Sequence, residues 1–74
     1  MLSKRNILGP KIRYFRKKAG ITQEDLAARL QVNGILLDRP MISKIENQTR
    51  ELLDYEALAI ANILKIDIRD LFIY

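Results

Sequence analysis

The chain has 74 residues, with 13 Lys/Arg against nine Asp/Glu for a formal charge of +4, and it contains neither cysteine nor histidine. A chain this short buries only about 60% of its unfolded surface, which leaves room for one economical core and no second domain. Lack of Cys and His excludes disulfide staples, thiol nucleophiles, the usual zinc sites and imidazole catalysis. No apolar run approaches the roughly 20 residues of a bilayer span, and the start lacks the apolar stretch of a secretory signal. The expectation is a soluble, cytoplasmic protein with no metal, cofactor, membrane or small-molecule substrate, and not an enzyme. Charge splits along the chain: residues 1–50 carry eleven Lys/Arg against four acids, and residues 51–74 carry two against five. That asymmetry favours an anionic partner on the first part, the competing reading being a basic stretch kept for solubility.

In chain order, Met1 to Leu8 has no helical stripe, carries Lys4 and Arg5, and reads as a flexible N-terminal arm over residues 1–8, ahead of a domain at 9–74. Gly9 and Pro10 open the first helix, Pro standing at a first-turn position where its missing N–H is harmless. A repeated grammar then marks four more starts: an apolar residue, a cap, and a second apolar residue four positions on. Ile21–Thr22–Leu26, Leu37–Asp38–Ile42, Leu53–Asp54–Leu58 and Ile66–Asp67–Leu71 all fit the hydrophobic staple. Thr22 with Asp25, and Asp67 with Asp70, add capping-box spacing. The spacing predicts helices over 10–19, 22–31, 38–47, 54–64 and 67–73. No segment alternates long enough to compete as a strand, so the domain is expected to be all-α, a compact five-helix unit. Helix 54–64 is apolar on nearly every side and reads as central. Part of that surface, with Ile68, Phe72, Ile73 and Tyr74, serves either core closure or a seam with a second copy.

Ile12, Phe15, Arg16 and Ala19 share one face of the first helix, which strands Arg16 inside an apolar stripe. Glu46 is stranded in the same way beside Ile42 and Ile45. Two opposite charges on core-facing stripes are most cheaply accommodated as a pair, so Arg16 and Glu46 are expected to form a partly buried, structural salt bridge. With Ile42, Ile45 and Glu46 turned in, the 100° step of a helix turns Pro40, Ser43, Lys44 and Asn47 out. Two short helices with such an outward face have the layout of a DNA-reading helix-turn-helix. Lys44 is the leading candidate for a base contact through guanine O6 and N7, while Arg39 suits either a guanine or a phosphate. Ser43 can donate or accept, and Asn47 suits the phosphate backbone. Thr22 and Gln23 offer a hydroxyl, an amide and helix-start N–H groups to a phosphate. Taken singly, Arg39 and Lys44 also fit ordinary solvated charges, and Thr22 fits a simple cap.

These residues resemble the lambda-repressor-like, Cro-type (Xre-like) helix-turn-helix family of phage and bacterial regulators, over about residues 9–72. The resemblance rests on Ile12, Phe15 and Arg16; on Gly20, Ile21, Thr22, Gln23, Leu26 and Ala27; on Leu30 and Val32; on Ile42 through Asn47; and on Ile60, Ala61, Leu64, Ile66 and Leu71. It implies a five-helix domain and sequence-specific binding of double-stranded DNA, usually as a homodimer on a palindromic operator, with no enzymatic activity. It also implies that Gln23 holds phosphate and that Arg39, Pro40 and Lys44 read bases. On this reading the protein is a transcriptional regulator, expected to be a repressor. The rival is a protein-interaction module of the same fold, antitoxin-like or an anti-regulator.

Three departures stand out. Asn33 to Leu37 make a turn longer than the usual 3–4 residues, with Ile35 and Leu36 either packed beneath it or turned to a partner. Gln48 replaces the Gly that commonly follows Glu-Asn, so either Gln48 or Asn47 must take a left-handed cap there. Pro40 has no donor, which limits it to apolar reading, such as of a thymine methyl.

Overall fold

Caps decide where the helices start. Thr22 and Asp25 bond reciprocally: the Asp25 N–H donates to Thr22 Oγ1 and the Thr22 N–H to Asp25 Oδ2, both at 3.0 Å. Asp38 Oδ1 accepts the Met41 N–H at 2.9 Å, and Asp67 accepts the Arg69 N–H at 2.8 Å. The resulting elements in this computed structural model, which describes residues 4–73, are α1 (Gly9–Lys18), α2 (Gln23–Val32), α3 (Arg39–Glu46), α4 (Asp54–Leu64) and a closing 3₁₀ helix, Ile68–Phe72. All regular structure among the described residues is helical. The last element is a 3₁₀ helix rather than the α-helix expected at 67–73. Five residues are too few for a stable α-helix, and i→i+3 bonding closes so short a piece.

The start of α4 differs from its staple pattern. Leu53 takes the cap position, and Glu56, not Asp54, reaches back to accept the Leu53 N–H at 3.0 Å. Glu56 is buried and also receives Arg50 at 3.1 and 3.3 Å, so a carboxylate on the inner face of α4 fixes both the helix start and the loop before it.

All four α-helices end in a left-handed hook. Gly20 and Gly34 take φ of 76° and 81°, and the non-glycine residues Gln48 and Lys65 take 65° and 58°. In each case the next N–H folds back onto a carbonyl of the last turn: Ile21 to Arg16, Ile35 to Leu30, Thr49 to Lys44 and Ile66 to Ala61. These bonds satisfy carbonyls the helix leaves open.

Around these stops the apolar stripes converge. Ile12 from α1, Leu26 and Leu30 from α2, Ile42 and Ile45 from α3, Ile60 from α4 and Leu71 from the 3₁₀ helix are all fully buried. α4 packs on α1 and α2, while α3 rests on α1 and α2. On α4, Ala57, Ile60, Ala61 and Leu64 face in, whereas Tyr55 and Leu58 are exposed, so its apolar surface is only partly consumed by the core. In the long turn Leu37 is fully buried, Ile35 is half-buried against the core, and Leu36 is 81% exposed.

The arm expected over residues 1–8 is not free along its described length. Leu8 is part of the core, and Arg5 and Asn6 bond to the end of α3 and the segment after it. A buried apolar anchor together with satisfied backbone groups outweighs the chain entropy that keeps most termini loose. Met1–Ser3 and Tyr74 lie outside the described residues.

Candidate nucleic-acid interface

Glu46 is the hinge of the site. Arg16 Nε donates to its Oε2 at 2.7 Å and Arg16 Nη2 to its Oε1 at 3.0 Å, a bidentate fork with side chains only 9% and 2% exposed. The remaining Arg16 nitrogen, Nη1, donates to the Ile21 carbonyl at 2.9 Å, and Gln23 Nε2 donates to Glu46 Oε1 at 3.0 Å. One carboxylate therefore ties the end of α1, the α1–α2 turn and the first residue of α2 to the last residue of α3. Hydrogen bonding to Glu46 holds the Arg16 guanidinium pKa above its ordinary value, against the opposing pull of burial. No buried side-chain polar atom among the described residues lacks a partner, so both charges are accommodated where they lie.

With Glu46 turned in, the opposite face of α3 is open. Arg39, Pro40, Lys44 and Asn47 are exposed and Ser43 is half-buried. Among the described residues neither Arg39 nor Lys44 has an ion-pair partner. The acids of the C-terminal part, by contrast, are engaged within the fold. Glu51 pairs with Arg5, Glu56 with Arg50 and Asp67 with Arg69, while Asp54 and Asp70 accept the N–H groups of Tyr55 and Asp67. Cations with no competing intramolecular partner on one helix face leave that face positive, as an anionic ligand requires.

The start of α2 stands beside it. Its capping box occupies the N–H groups of Thr22 and Asp25, so among the described residues the Gln23 and Glu24 amides are its open donors. Asp25 is held below its ordinary pKa by bonds from Thr22. Thr22 is exposed, whereas the Gln23 amide is partly buried and already gives one N–H to Glu46. Sequence reasoning placed Gln23 at this helix start and missed the tether that orients it. It missed too the role of Gln48, whose Nε2 donates to the Asn6 carbonyl at 3.0 Å while its own carbonyl accepts the Arg5 N–H at 2.9 Å. The one available signal was the cost of a non-glycine left-handed cap, which implies a compensating side-chain contact.

The Helix-turn-helix family model matches residues 12–71. Among solved structures, the restriction-modification controller protein C.AhdI from Aeromonas hydrophila aligns at 31% identity with a TM-score of 0.78, covering 88% of this chain and 87% of that one. The DNA-binding domain of BldD shares the fold, with a TM-score of 0.74 at 17% identity over 96% of this chain and 97% of that one. No curated protein sequence matches. With the matched span running from α1 into the closing 3₁₀ helix, the chain belongs to the helix-turn-helix family of the lambda-repressor-like, Xre type.

Proposed function

We propose that this chain is a sequence-specific DNA-binding transcriptional regulator that acts on double-stranded DNA in the cytoplasm. α3 enters the major groove with Arg39, Pro40, Ser43 and Lys44 toward base edges, and Thr22, Gln23 and Asn47 hold phosphate. The observation that carries this reading is the two-sidedness of α3: Glu46 is locked inward by Arg16 and Gln23, while Arg39 and Lys44 stand exposed with no ionic partner. Likeness to a controller protein at 31% identity supports the regulatory role. In this reading the domain acts by occupying its DNA site, as a repressor. Exposed Tyr55, Leu58, Phe72 and Ile73 support assembly of two copies, which would set the reading helices about 34–36 Å apart, one DNA turn.

The test is selection from randomised duplexes, followed by titration of the parent and of Lys44→Ala on the selected and random DNA. Lys44→Ala is expected to cost about 1–3 kcal/mol on the selected duplex and to relax specificity at one base pair per half-site. If a dimer neutralises about 6–10 phosphates, affinity falls roughly 10³–10⁵-fold between 50 and 200 mM salt. Equal losses on selected and random DNA would reassign Lys44 to a phosphate. No retention on any duplex at low salt would favour the second reading, a protein-interaction module. What favours that alternative is the pair Val32 and Leu36, 86% and 81% exposed at the bend between α2 and α3.

A further inference from the structure

Asn6 makes three side-chain hydrogen bonds, and they join two helix ends that are far apart in sequence. Its Oδ1 accepts the Gly9 N–H at 2.7 Å, at the start of α1. Its Nδ2 donates to the Ile45 carbonyl at 3.0 Å and to the Arg50 carbonyl at 2.8 Å, at the end of α3 and in the loop beyond it. The Asn6 carbonyl receives the Gln48 side chain, the Arg5 N–H reaches the Gln48 carbonyl, and Arg5 pairs with Glu51. Gly9 lets the two helix ends touch: a Cβ there would lie 2.2 Å from the Ile45 carbonyl oxygen and 2.9 Å from that of Glu46. The positive start of α1, which has no acid in its first turn, is thereby set against the negative end of α3.

α3 has only eight residues, about 12 Å of helix. A tilt of about 10° at its rear displaces its front, where Arg39 and Pro40 stand, by about 2 Å, as much as separates a good base contact from none. On the basis that α3 reads DNA, we propose that segment 5–9 is a strap that sets the angle of the reading helix, with Asn6 as its positioning residue. The strap touches neither base nor phosphate in this role. It acts by fixing the Ile45 and Arg50 carbonyls from behind.

Two variants separate the two halves of the strap. Asn6→Ala removes all three bonds. Asn6→Asp keeps an acceptor for Gly9 at a helix start that favours a carboxylate, and removes both donors to the end of α3. In DNA-free protein, amide hydrogen exchange at Asn47, Gln48 and Thr49 is expected to quicken about tenfold or more in both variants, while Leu30 in α2 and Ile60 in α4 keep the parent rates. On the duplex selected by the parent, discrimination against random DNA is expected to fall about tenfold with the salt slope unchanged, because slope counts phosphates and discrimination counts base contacts. Exchange that stays slow after α3, or that quickens uniformly through all four helices, overturns the strap, as does undiminished discrimination in Asn6→Asp. If the parent binds no duplex at all, the DNA reading fails, and the exchange pattern alone then decides for or against the strap.

Discussion

The two ends of α3 are held in opposite ways. At the front a single exposed carboxylate, Asp38, caps the helix through the Met41 N–H, and the residues beside it, Leu36, Arg39 and Pro40, face solvent. At the rear Glu46 is buried under Arg16 and Gln23, Gly9 lies against the last carbonyls, and Asn6 bonds to two of the carbonyls there. A helix secured at its rear and open at its front can present side chains to a groove without its own fold competing for them. The contrast also means that the anchoring side chains and the exposed cations Arg39 and Lys44 occupy different positions of the same eight residues.

Substitutions ranked by size test the contrast. Arg16→Ala leaves Glu46 buried and unpaired and is expected to cost about 3–5 kcal/mol in urea unfolding, whereas replacing both partners with apolar residues of similar volume costs less. A variant that unfolds with the parent would show that the rear is not anchored by this pair. Gly9→Ala drives a methyl into backbone oxygens that cannot swing aside and should lose about 1–3 kcal/mol. Unchanged melting would mean that α1 and α3 can part without penalty. Asp38→Ala, at the front, is expected to cost about 1 kcal/mol, the ordinary value of an exposed cap. A loss matching that of Arg16→Ala would erase the distinction between the ends. The smallest effect belongs to Asp67, far from α3 in the chain. Its side-chain and backbone bonds from Arg69 lower its pKa from 3.8 to about 2. A depressed folded value means that its stabilising contribution is complete above 3.8 and fades as pH falls toward 2, which NMR titration of the Asp67 carboxyl would reveal as a midpoint well below that of a free aspartate.

What could be read from the amino acids alone follows from the range of the interactions. Thr22, Asp38 and Asp67 act within one helical turn, so spacing alone exposed them as caps. Arg16 and Glu46 were legible across a longer distance because each interrupts an apolar stripe, and a charge there has few ways to be satisfied. Asp54 misled because Glu56, two residues on, competes for the same helix start and gains the additional partner Arg50 once buried. Asn6 was illegible, and Gln48 was legible only as a candidate left-handed cap: both are small-to-medium polar residues outside any stripe, and their side-chain roles depend on partners that only folding brings near. Ile35 and Leu36 carried the same pattern in sequence, yet one packs against the core and the other faces solvent. Adjacent residues in an irregular turn have no periodicity to distinguish them.

Asn6 reaches partners 39 and 44 positions away, whereas the caps and hooks close over two to five. Joining distant points of a chain carries a loop-closure cost that local turns avoid, and it is recovered only when both ends are already shaped. Asn6 therefore has nothing to grip until α3 and the loop as far as Arg50 have taken shape, so its bonds report on the arrangement of both helix ends at once.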